Sequence, residues 1–517
     1  MKFISTFLIS IVFISGFQSS YAQKQQTDSL FFYPIENNKL EAGFKSVTNL
    51  HGLPQHSIGI TQLSSNYVKG AYRQGFEAYQ TLDANFYTQG LKQIGRFKVA
   101  GSLQITKGWE DSLAFNLQGI YNDAQPYFFY AGKAGKFERQ NYDIKALLSY
   151  ELLKDRLFIG TSIRYQNNWT TRSVDPRVDV KQFIYNINPE LTLKLGTHFI
   201  GASYKYGGGY ENTAVKYKSS MYDENLSYLE RVNFLSFGLS SYSISKKPLR
   251  RYDTYNGFGV HYTGLLKTIK IQGDFKYTLW QQDNVFTADA NSASRKNYTL
   301  DGYIQSDNAE GNLLVTQDKT NHSQQIGVDF NTQSLLNWTR IYNGTNYQYT
   351  HTQFNMFYQL MFNKNKPVNY LLGISGLYKN NFKQDAATSH QTETSFIQPE
   401  LKLGIFKKLK DKTLLGATIS PFYRHVIDNY YIAPSTQENY YTKGMVYTNF
   451  LYWQTPAIGT NFSLRLNTPN IFKKNTVGFV INGTYLKPTS DVANTIGAIY
   501  TPNGDRLALE FLIKVYM

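Results

Sequence analysis

Long segments in which apolar and polar residues alternate constrain the fold of this chain more than any other feature. From Leu507 to Met517 every second residue is apolar, and the residues between them include Glu510 and Lys514. Successive side chains of a β-strand point to opposite faces, so this segment predicts a strand with one apolar face. The same alternation predicts further strands at 142–151, 157–166, 183–195, 200–206 and 269–279.

These predicted strands are longer than those of soluble proteins. They span roughly 9–13 residues, the length that a tilted strand needs to cross a membrane, whereas strands of soluble sandwiches have about 5–6 residues. The chain is 16% aromatic, with 42 Tyr and 35 Phe, yet its mean hydropathy is −0.41. Transmembrane barrels combine both traits, because aromatic girdles lie at the two membrane surfaces while half of each strand faces a polar lumen.

Together these patterns predict an all-β fold, an antiparallel transmembrane β-barrel of the outer membrane of a Gram-negative bacterium, with about 16 strands (range roughly 14–20). The alternative is a large soluble β-solenoid or sandwich. Barrels of this class have short periplasmic turns and long extracellular loops. Short turns are predicted at 153–156, 196–197, 266–268, 363–367 and 407–412, and long loops at 167–180, 207–230, 282–297, 380–394 and 425–442.

The N-terminus has the three parts of a secretory signal peptide. Lys2 precedes an apolar run at 3–17, and Ser20-Tyr21-Ala22 has small residues at both positions that cleavage requires. We therefore predict a cleaved signal peptide at 1–22, an N-terminal periplasmic segment or plug at 23–56, and a transmembrane β-barrel at 57–517. The alternative for the first part is an N-terminal anchor helix. Residues 23–56 show neither a helical nor a strong strand pattern.

Several kinds of site are excluded or disfavoured by composition. The chain has no Cys, which excludes disulfides, zinc–cysteine sites, iron–sulfur clusters and cysteine nucleophiles. Its eight His residues form no HExxH, and neither GxSxG nor a Walker loop is present. We therefore predict no catalytic, cofactor-binding or metal site. His51 and His56, five residues apart, are a weak alternative as metal ligands.

The net charge of +16, or +15 once Lys2 is removed with the signal peptide, predicts contact with anionic lipid headgroups or anionic solutes, and not with nucleic acid. The strand phase predicts twelve lumen-lining charges that could set the selectivity of a pore. The alternative is ion pairing that fills and stiffens a closed barrel. The twelve residues are Lys145, Arg164, Glu190, Lys194, Lys205, Lys270, Asp274, Lys276, Glu400, Lys402, Arg465 and Lys514.

One short sequence pattern occurs twice. Residues 187–193 and 397–403 both contain Pro-Glu-Leu, which places Glu190 and Glu400 at matching predicted lumenal positions. A Pro inside a strand removes a ladder hydrogen bond, so each Pro is expected at a bulge or a strand start. The repeat indicates either a paired lumenal feature or no more than a shared strand composition.

The segments 70–76, 135–142 and 172–177, with the junction Ala22-Gln23, resemble a family of uncharacterised outer-membrane barrels from Bacteroidota. The resemblance implies genes that lie near TonB-dependent receptors and surface lipoproteins, and a role in nutrient uptake or in a larger envelope complex. It carries over no functional residues. The chain lacks a recognisable TonB box and is short for a 22-stranded receptor with its plug, so we do not expect it to be such a receptor.

Three functions follow as hypotheses. The first is a channel or uptake component for small or anionic solutes, embedded in outer-membrane lipid and lipopolysaccharide and without a cofactor. A variant is a hydrophobic-ligand transporter in which residues 23–56 line an apolar pocket. The second is a non-conducting accessory barrel, in a complex with a TonB-dependent receptor, a surface lipoprotein or a secretion machine. The third is a barrel enzyme, with Ser, His and Asp clustered at the barrel mouth.

Overall fold

A closed antiparallel β-barrel makes up most of the computed structural model of this chain. The structure describes residues 30–224, 228–235, 242–243, 248–287, 298–435, 438–472 and 475–517, so the predicted signal peptide at 1–22 lies outside the described residues. Eighteen strands form one sheet, in which every strand pairs antiparallel with its neighbours along the chain. The first strand, Ser57–Gly70, pairs with the last, Arg506–Tyr516, and closes the barrel.

The barrel strands are β1 Ser57–Gly70, β2 Gln80–Ile94, β3 Phe97–Leu113, β5 Gly135–Leu153, β6 Leu157–Arg172, β7 Arg177–Leu195, β8 His198–Lys216, β11 Leu249–Leu266, β12 Ile269–Thr287, β13 Tyr298–Asp318, β14 His322–Thr339, β15 Tyr347–Phe362, β16 Val368–Asp385, β17 His390–Lys408, β18 Leu414–Ile432, β19 Ala457–Phe472, β20 Asn475–Pro488 and β21 Arg506–Tyr516. A small sheet comprises β4 Phe128–Tyr130, β9 Asn233–Leu235 and β10 Tyr242–Ser243. The helices are α1 Pro34–Gly43, α2 Val47–His51, α3 Met221–Glu224 and α4 Tyr447–Gln454, the last preceded by a π-helical turn at Thr442–Val446.

The predicted fold class is confirmed, and the 18 strands fall within the expected range. The predicted apolar face is the outer face. In β7, Leu191 is 53% exposed and Leu193 44%, while the intervening Thr192 is fully buried. A closed sheet satisfies all backbone hydrogen bonds, and a band of bare Leu, Ile and Phe side chains around it requires a hydrocarbon solvent. The chain is therefore an outer-membrane β-barrel.

Every barrel strand except β21 is longer than the predicted 9–13 residues. β21 has 11 residues, and the others range from 14 in β1 and β20 to 21 in β13. The extra length lies towards the extracellular side, where the outer face becomes polar and, for example, Trp169 Nε1 donates to Asp179 Oδ1 at 3.0 Å. Above the bilayer a strand needs backbone pairing but no apolar face, so the alternation weakens while the strand continues. The predicted loops 167–180 and 380–394 therefore shrink to 173–176 and 386–389.

The turns at the opposite end of the barrel are short, as predicted. They cover 95–96, 154–156, 196–197, 267–268, 319–321, 363–367 and 409–413. The connections at the other end are longer, with 21 residues at 114–134, 32 at 217–248 and 24 at 433–456. By the rule that bacterial barrels keep short turns in the periplasm, Ser57 enters the barrel from the periplasmic side.

The two strand prolines do not mark bulges or strand starts, so that prediction is wrong. Pro189 lies inside β7 and Pro399 inside β17. On one side each pairing is interrupted at the Pro, but the register is the same before and after the gap. On the other side Pro189 stays opposite Thr161 and Pro399 opposite Gly376. A missing N–H therefore removes local pairing to one neighbour and leaves the register unchanged.

Candidate functional site

Residues 30–56 lie inside the barrel, on its periplasmic side, and contain α1 and α2. Their backbone carbonyls accept hydrogen bonds from inward-facing side chains of strands on different sides of the barrel. Lys98 and Lys270 bind the carbonyls of Leu53 and Gly52 at 2.8 and 2.7 Å. We call residues 30–56 the plug. From the sequence we predicted no helix in this segment, and that prediction is wrong. Tertiary contacts, and not an amphipathic period, stabilise the two helices.

Apolar side chains fill the contact between the plug and the barrel wall. Phe32 and Ile35 are buried against Met361, Leu371 and Phe406. A second cluster on the other side of the plug contains Leu40, Val47, Leu50 and Leu53 with the wall residues Ile58, Ile60, Leu91, Leu147 and Tyr516. Each fully buried Leu, Ile or Phe contributes about 1.5–3 kcal/mol. The plug therefore docks as a packed element and not as a loose tail.

One buried carboxylate of the wall accepts hydrogen bonds from the first residues of α2. Glu190 of β7, with 2% of its side chain exposed, accepts hydrogen bonds from the N–H groups of Val47 and Thr48 at 3.0 and 2.6 Å. The Thr48 hydroxyl also donates to Glu190, at 2.5 Å, and lies 2.7 Å from the hydroxyl of Thr192. A buried carboxylate is costly unless hydrogen bonds satisfy it. The plug therefore supplies the donors that Glu190 needs.

A second carboxylate extends this network. Asp274 of β12 accepts from the amide of Asn49 at 2.5 Å and lies 2.6 Å from His261 Nδ1. Ser203 Oγ lies 2.8 Å from His261 Nε2, and Glu190 lies 3.9 Å from the same nitrogen. Strand phase predicted Glu190 and Asp274 in the lumen, whereas the sequence had no signal for His261 beyond its phase in β11.

Ser203, His261 and Asp274 have the spacing of a nucleophile, base and orienting acid. Their surroundings argue against that chemistry. Ser203 lies mid-strand, paired with Gly259 on one side and Glu190 on the other, so the local backbone N–H groups belong to the sheet and form no oxyanion site. The Glu190 carboxylate would repel an oxyanion, and α2 covers the group. We therefore propose a structural role in holding the plug.

The extracellular end of the barrel is also closed. Parts of the connections 71–79, 114–134, 433–456 and 489–505 fold inward and bury aromatic and aliphatic side chains against the inner ends of strands all around the mouth. Their fully buried aromatic residues include Tyr72, Tyr127, Phe129 and Tyr447, and Phe234 of β9 packs against Tyr127 and Phe129. We call these inward-folded connections the extracellular closure.

Two buried arginines of the wall anchor the extracellular closure. Arg424 of β18, 3% exposed, donates to the carbonyls of Tyr452 and Thr455 at 2.9 and 3.0 Å and stacks 4.6 Å from the Tyr452 ring. Arg251 of β11 pairs with Glu211 at 2.6 Å and donates to the carbonyl of Tyr127. Neither arginine could be predicted from the sequence. Arg424 directly precedes the loop predicted at 425–442, and Arg251 directly follows the segment 210–250, which lacks clear alternation.

Between the plug and the extracellular closure lies a polar chamber of about 700 Å³. Its floor includes Leu40, Phe44 and Lys45 of the plug, and its walls carry the amides of Gln62, Asn85, Gln89, Gln104 and Asn188. The chamber is large enough for a small solute, since ligand pockets typically measure about 300–1,000 Å³. Four of the predicted lumen residues line it: Lys145, Arg164, Lys276 and Lys514.

The other predicted lumen residues divide between the plug and the wall. Those that contact the plug are Glu190, Lys270, Asp274 and Arg465. Lys205 donates to Thr278 at 3.3 Å, and Glu400 accepts from Asn461 at 3.1 Å. Lys194 pairs with Asp155 at the periplasmic turn, at 2.7 Å. Lys402 is half-buried in β17, in phase with Glu400. Their influence on ion selectivity stays a prediction.

The two histidines considered as a metal pair have separate partners. His51 Nε2 lies 2.8 Å from Ser149 Oγ, and His56 Nδ1 lies 2.7 Å from Gln93 Oε1. Within the described ranges no group of three or more His, Asp or Glu side chains is placed to hold a metal ion. In the same part of the chain, no helix is long and apolar enough to cross a membrane.

Comparison with solved structures returns outer-membrane barrels of low similarity. The ferric citrate transporter FecA in its unliganded form is 8% identical over 89% of this chain and 79% of its own, with a TM-score of 0.42. The outer membrane transporter YddB from Escherichia coli is 9% identical over 89% and 81%, with a TM-score of 0.37. OccAB3 from Acinetobacter baumannii is 7% identical over 89% and 99%, with a TM-score of 0.33.

At such identities and TM-scores these structures carry no argument about what this chain binds. Among curated proteins, none matches the chain in sequence. A family model, in contrast, matches residues 48–517, which include α2 of the plug from its second residue and every strand of the barrel. The chain therefore belongs to the family of unknown function DUF6850.

Proposed function

We propose that the protein is a gated uptake component of the outer membrane that admits small solutes, anionic ones above all. The observation that carries this proposal is a solute-sized chamber with a closure at each end, both built from the chain's own segments. An open porin would have a continuous aqueous lumen. A barrel with two closures and a polar space between them can instead open one closure at a time.

Both closures are held by contacts that can be broken without unfolding the barrel. The plug contributes no strand to the sheet, and its polar contacts are mainly hydrogen bonds to inward-facing side chains and ion pairs such as Lys39 with Asp318, at 2.6 Å. The extracellular closure likewise rests on side chains such as Arg251 and Arg424. We infer that solute entry moves the extracellular closure and that release into the periplasm moves the plug.

Single-channel conductance of the refolded protein in a planar bilayer tests this proposal, with and without residues 23–56. We expect near silence from the full chain and steady, anion-favouring conductance after deletion. A heat-sensitive shift in gel mobility would verify that both forms are folded barrels. Steady conductance of the full chain would make it an open pore, and silence of both forms would count against uptake.

A second candidate function is a non-conducting accessory barrel. The observation that favours it is the extracellular closure, whose dense aromatic cluster resembles a domain core more than a mobile lid. Its partner would be a TonB-dependent receptor, a surface lipoprotein or a secretion machine. Native purification after mild cross-linking in cells would test this, and a barrel recovered alone from a producing strain would oppose it.

Export through a cleaved signal peptide is part of the same proposal. Its support is the pattern at 1–22, with Ala22 before the cleaved bond. N-terminal sequencing of the protein from outer-membrane fractions should begin at Gln23. A chain that keeps Met1 in the membrane would favour the N-terminal anchor instead.

A further inference from the structure

We propose that the chamber binds a small, oxygen-rich solute that carries at least two negative charges. This inference deepens the proposed uptake function and rests on it for the solute's way in and out. It is carried by four cationic side chains on one arc of the wall, which we call the basic arc. Lys145 of β5, Arg164 of β6 and Lys276 of β12 line the chamber, and Lys205 of β8 lies near Arg164 and Lys276.

The basic arc brings like charges together. Lys145 and Arg164 are directly opposite each other in the pairing of β5 with β6, and both face the lumen. Lys276 is close enough to interact electrostatically with Lys145, and Lys205 with both Arg164 and Lys276. Like charges directly opposite on neighbouring strands are destabilising. We infer that a bound anion offsets the repulsion between these cations, which accounts for their presence in the lumen.

Carboxylates of the wall neutralise the arc in part. Asp143 accepts two hydrogen bonds from Arg164, at 3.1 and 2.7 Å, and Glu310 lies near Lys205. Among the described residues, no carboxylate lies within salt-bridge distance of Lys145 or Lys276. Two further carboxylates of the chamber lining, Glu41 and Glu510, are matched in number by Lys45 and Lys514 of the same lining. The six cations in and beside the chamber therefore exceed the four carboxylates by two charges, which favours a solute with at least two negative charges.

The neutral lining defines the rest of the solute. Amide side chains of β1, β2, β3 and β7 face the same chamber and can both donate to and accept from hydroxyl, carbonyl or phosphoryl groups. The apolar residues of the lining belong to the plug, with Phe31, Leu40 and Phe44, and to the wall, with Ile60 and Leu147 among others, and they are outnumbered by the polar and charged residues. An oxygen-rich dianion, such as a phosphorylated or polycarboxylated metabolite, fits this surface, whereas a hydrophobic ligand does not.

Isothermal titration calorimetry of the full chain in detergent tests the proposal. The probe is inorganic pyrophosphate, and the uncharged control solute is maltose. We expect pyrophosphate to bind, more weakly as salt rises, and maltose to bind at least tenfold more weakly. Removal of the like charges in Lys145→Gln/Lys276→Gln should reduce pyrophosphate affinity at least tenfold while the unfolding temperature stays equal or rises.

Lys154→Gln/Lys410→Gln is the matched control, because both lysines are exposed at periplasmic turns and the change in net charge is the same. Equal losses in the two double variants would make binding a matter of overall charge and overturn the inference. So would the absence of pyrophosphate binding in both the full chain and Arg424→Gln, whose extracellular closure is loosened. If the full chain binds pyrophosphate but the plug-deleted form does not conduct, the uptake function is refuted and the anion site is still supported.

Discussion

Replacing Glu190 by Ala should open the periplasmic side of the lumen. The substitution removes the acceptor of three hydrogen bonds from the plug, two from backbone N–H groups and one from the Thr48 hydroxyl. Hydrogen bonds to charged groups contribute about 1.5–3 kcal/mol each, and water compensates part of this when the plug undocks. We take about 3 kcal/mol as the loss to the docked state, which corresponds to about a hundredfold larger undocked fraction.

Opening frequency in planar bilayers measures that fraction. Glu400→Ala is the matched control, since it removes the same side chain from the second Pro-Glu-Leu segment, where the carboxylate binds Asn461 and not the plug. We expect frequent openings from Glu190→Ala and the near silence of the unmodified chain from Glu400→Ala. Equal behaviour of the two variants would show that the carboxylate–plug contacts do not hold the barrel closed.

Three further predictions concern acid, the extracellular closure and the lipid face. Burial and the nearby charges of Lys98 and Lys194 lower the pKa of His51 in the plug from 6.5 to about 3, so the docked state should lose stability as the pH falls below 6.5. Openings should increase between pH 7 and pH 5, and His51→Gln should abolish that increase. Arg424→Gln should expose the connection 433–456 to protease added to intact cells, while Arg177→Gln, at an exposed ion pair, should not. Leu191→Arg on the lipid face should destabilise the barrel by about 2–4 kcal/mol in urea titrations, against about 0–1 for Leu152→Arg near a turn.

The lipid face could be predicted because a period of two is local. The alternation from Leu507 to Met517 shows its phase within one strand, and the closed sheet keeps that phase, with Phe511 exposed and Leu512 buried. Strand ends could not be predicted from the same signal, because selection for an apolar face stops where the bilayer does. Tyr185 and Tyr206 thus lie in strands that continue far beyond the apolar pattern.

The site depends on contacts between distant parts of the chain. Strand phase placed Glu190 and Asp274 in the lumen, but their plug partners are 143 and 225 residues away. The plug itself has no amphipathic period, since the wall surrounds it on several sides. Arg424 could not be predicted for a related reason. It binds backbone carbonyls of an inward-folded connection, and every residue has a backbone carbonyl, so the sequence does not show which ones it contacts.

A reversible cross-link between the plug and the wall tests the central claim most directly. The chain has no Cys, and the hydroxyls of Thr48 and Thr192 are 2.7 Å apart, so Thr48→Cys/Thr192→Cys can lock the plug in place. Uptake of a small anion into proteoliposomes would be measured in oxidised and reduced protein, with each single Cys variant as a control. We predict transport by the reduced double variant, loss on oxidation, and no redox effect in the single variants. Equal transport by the locked and unlocked barrels would contradict a plug that must move.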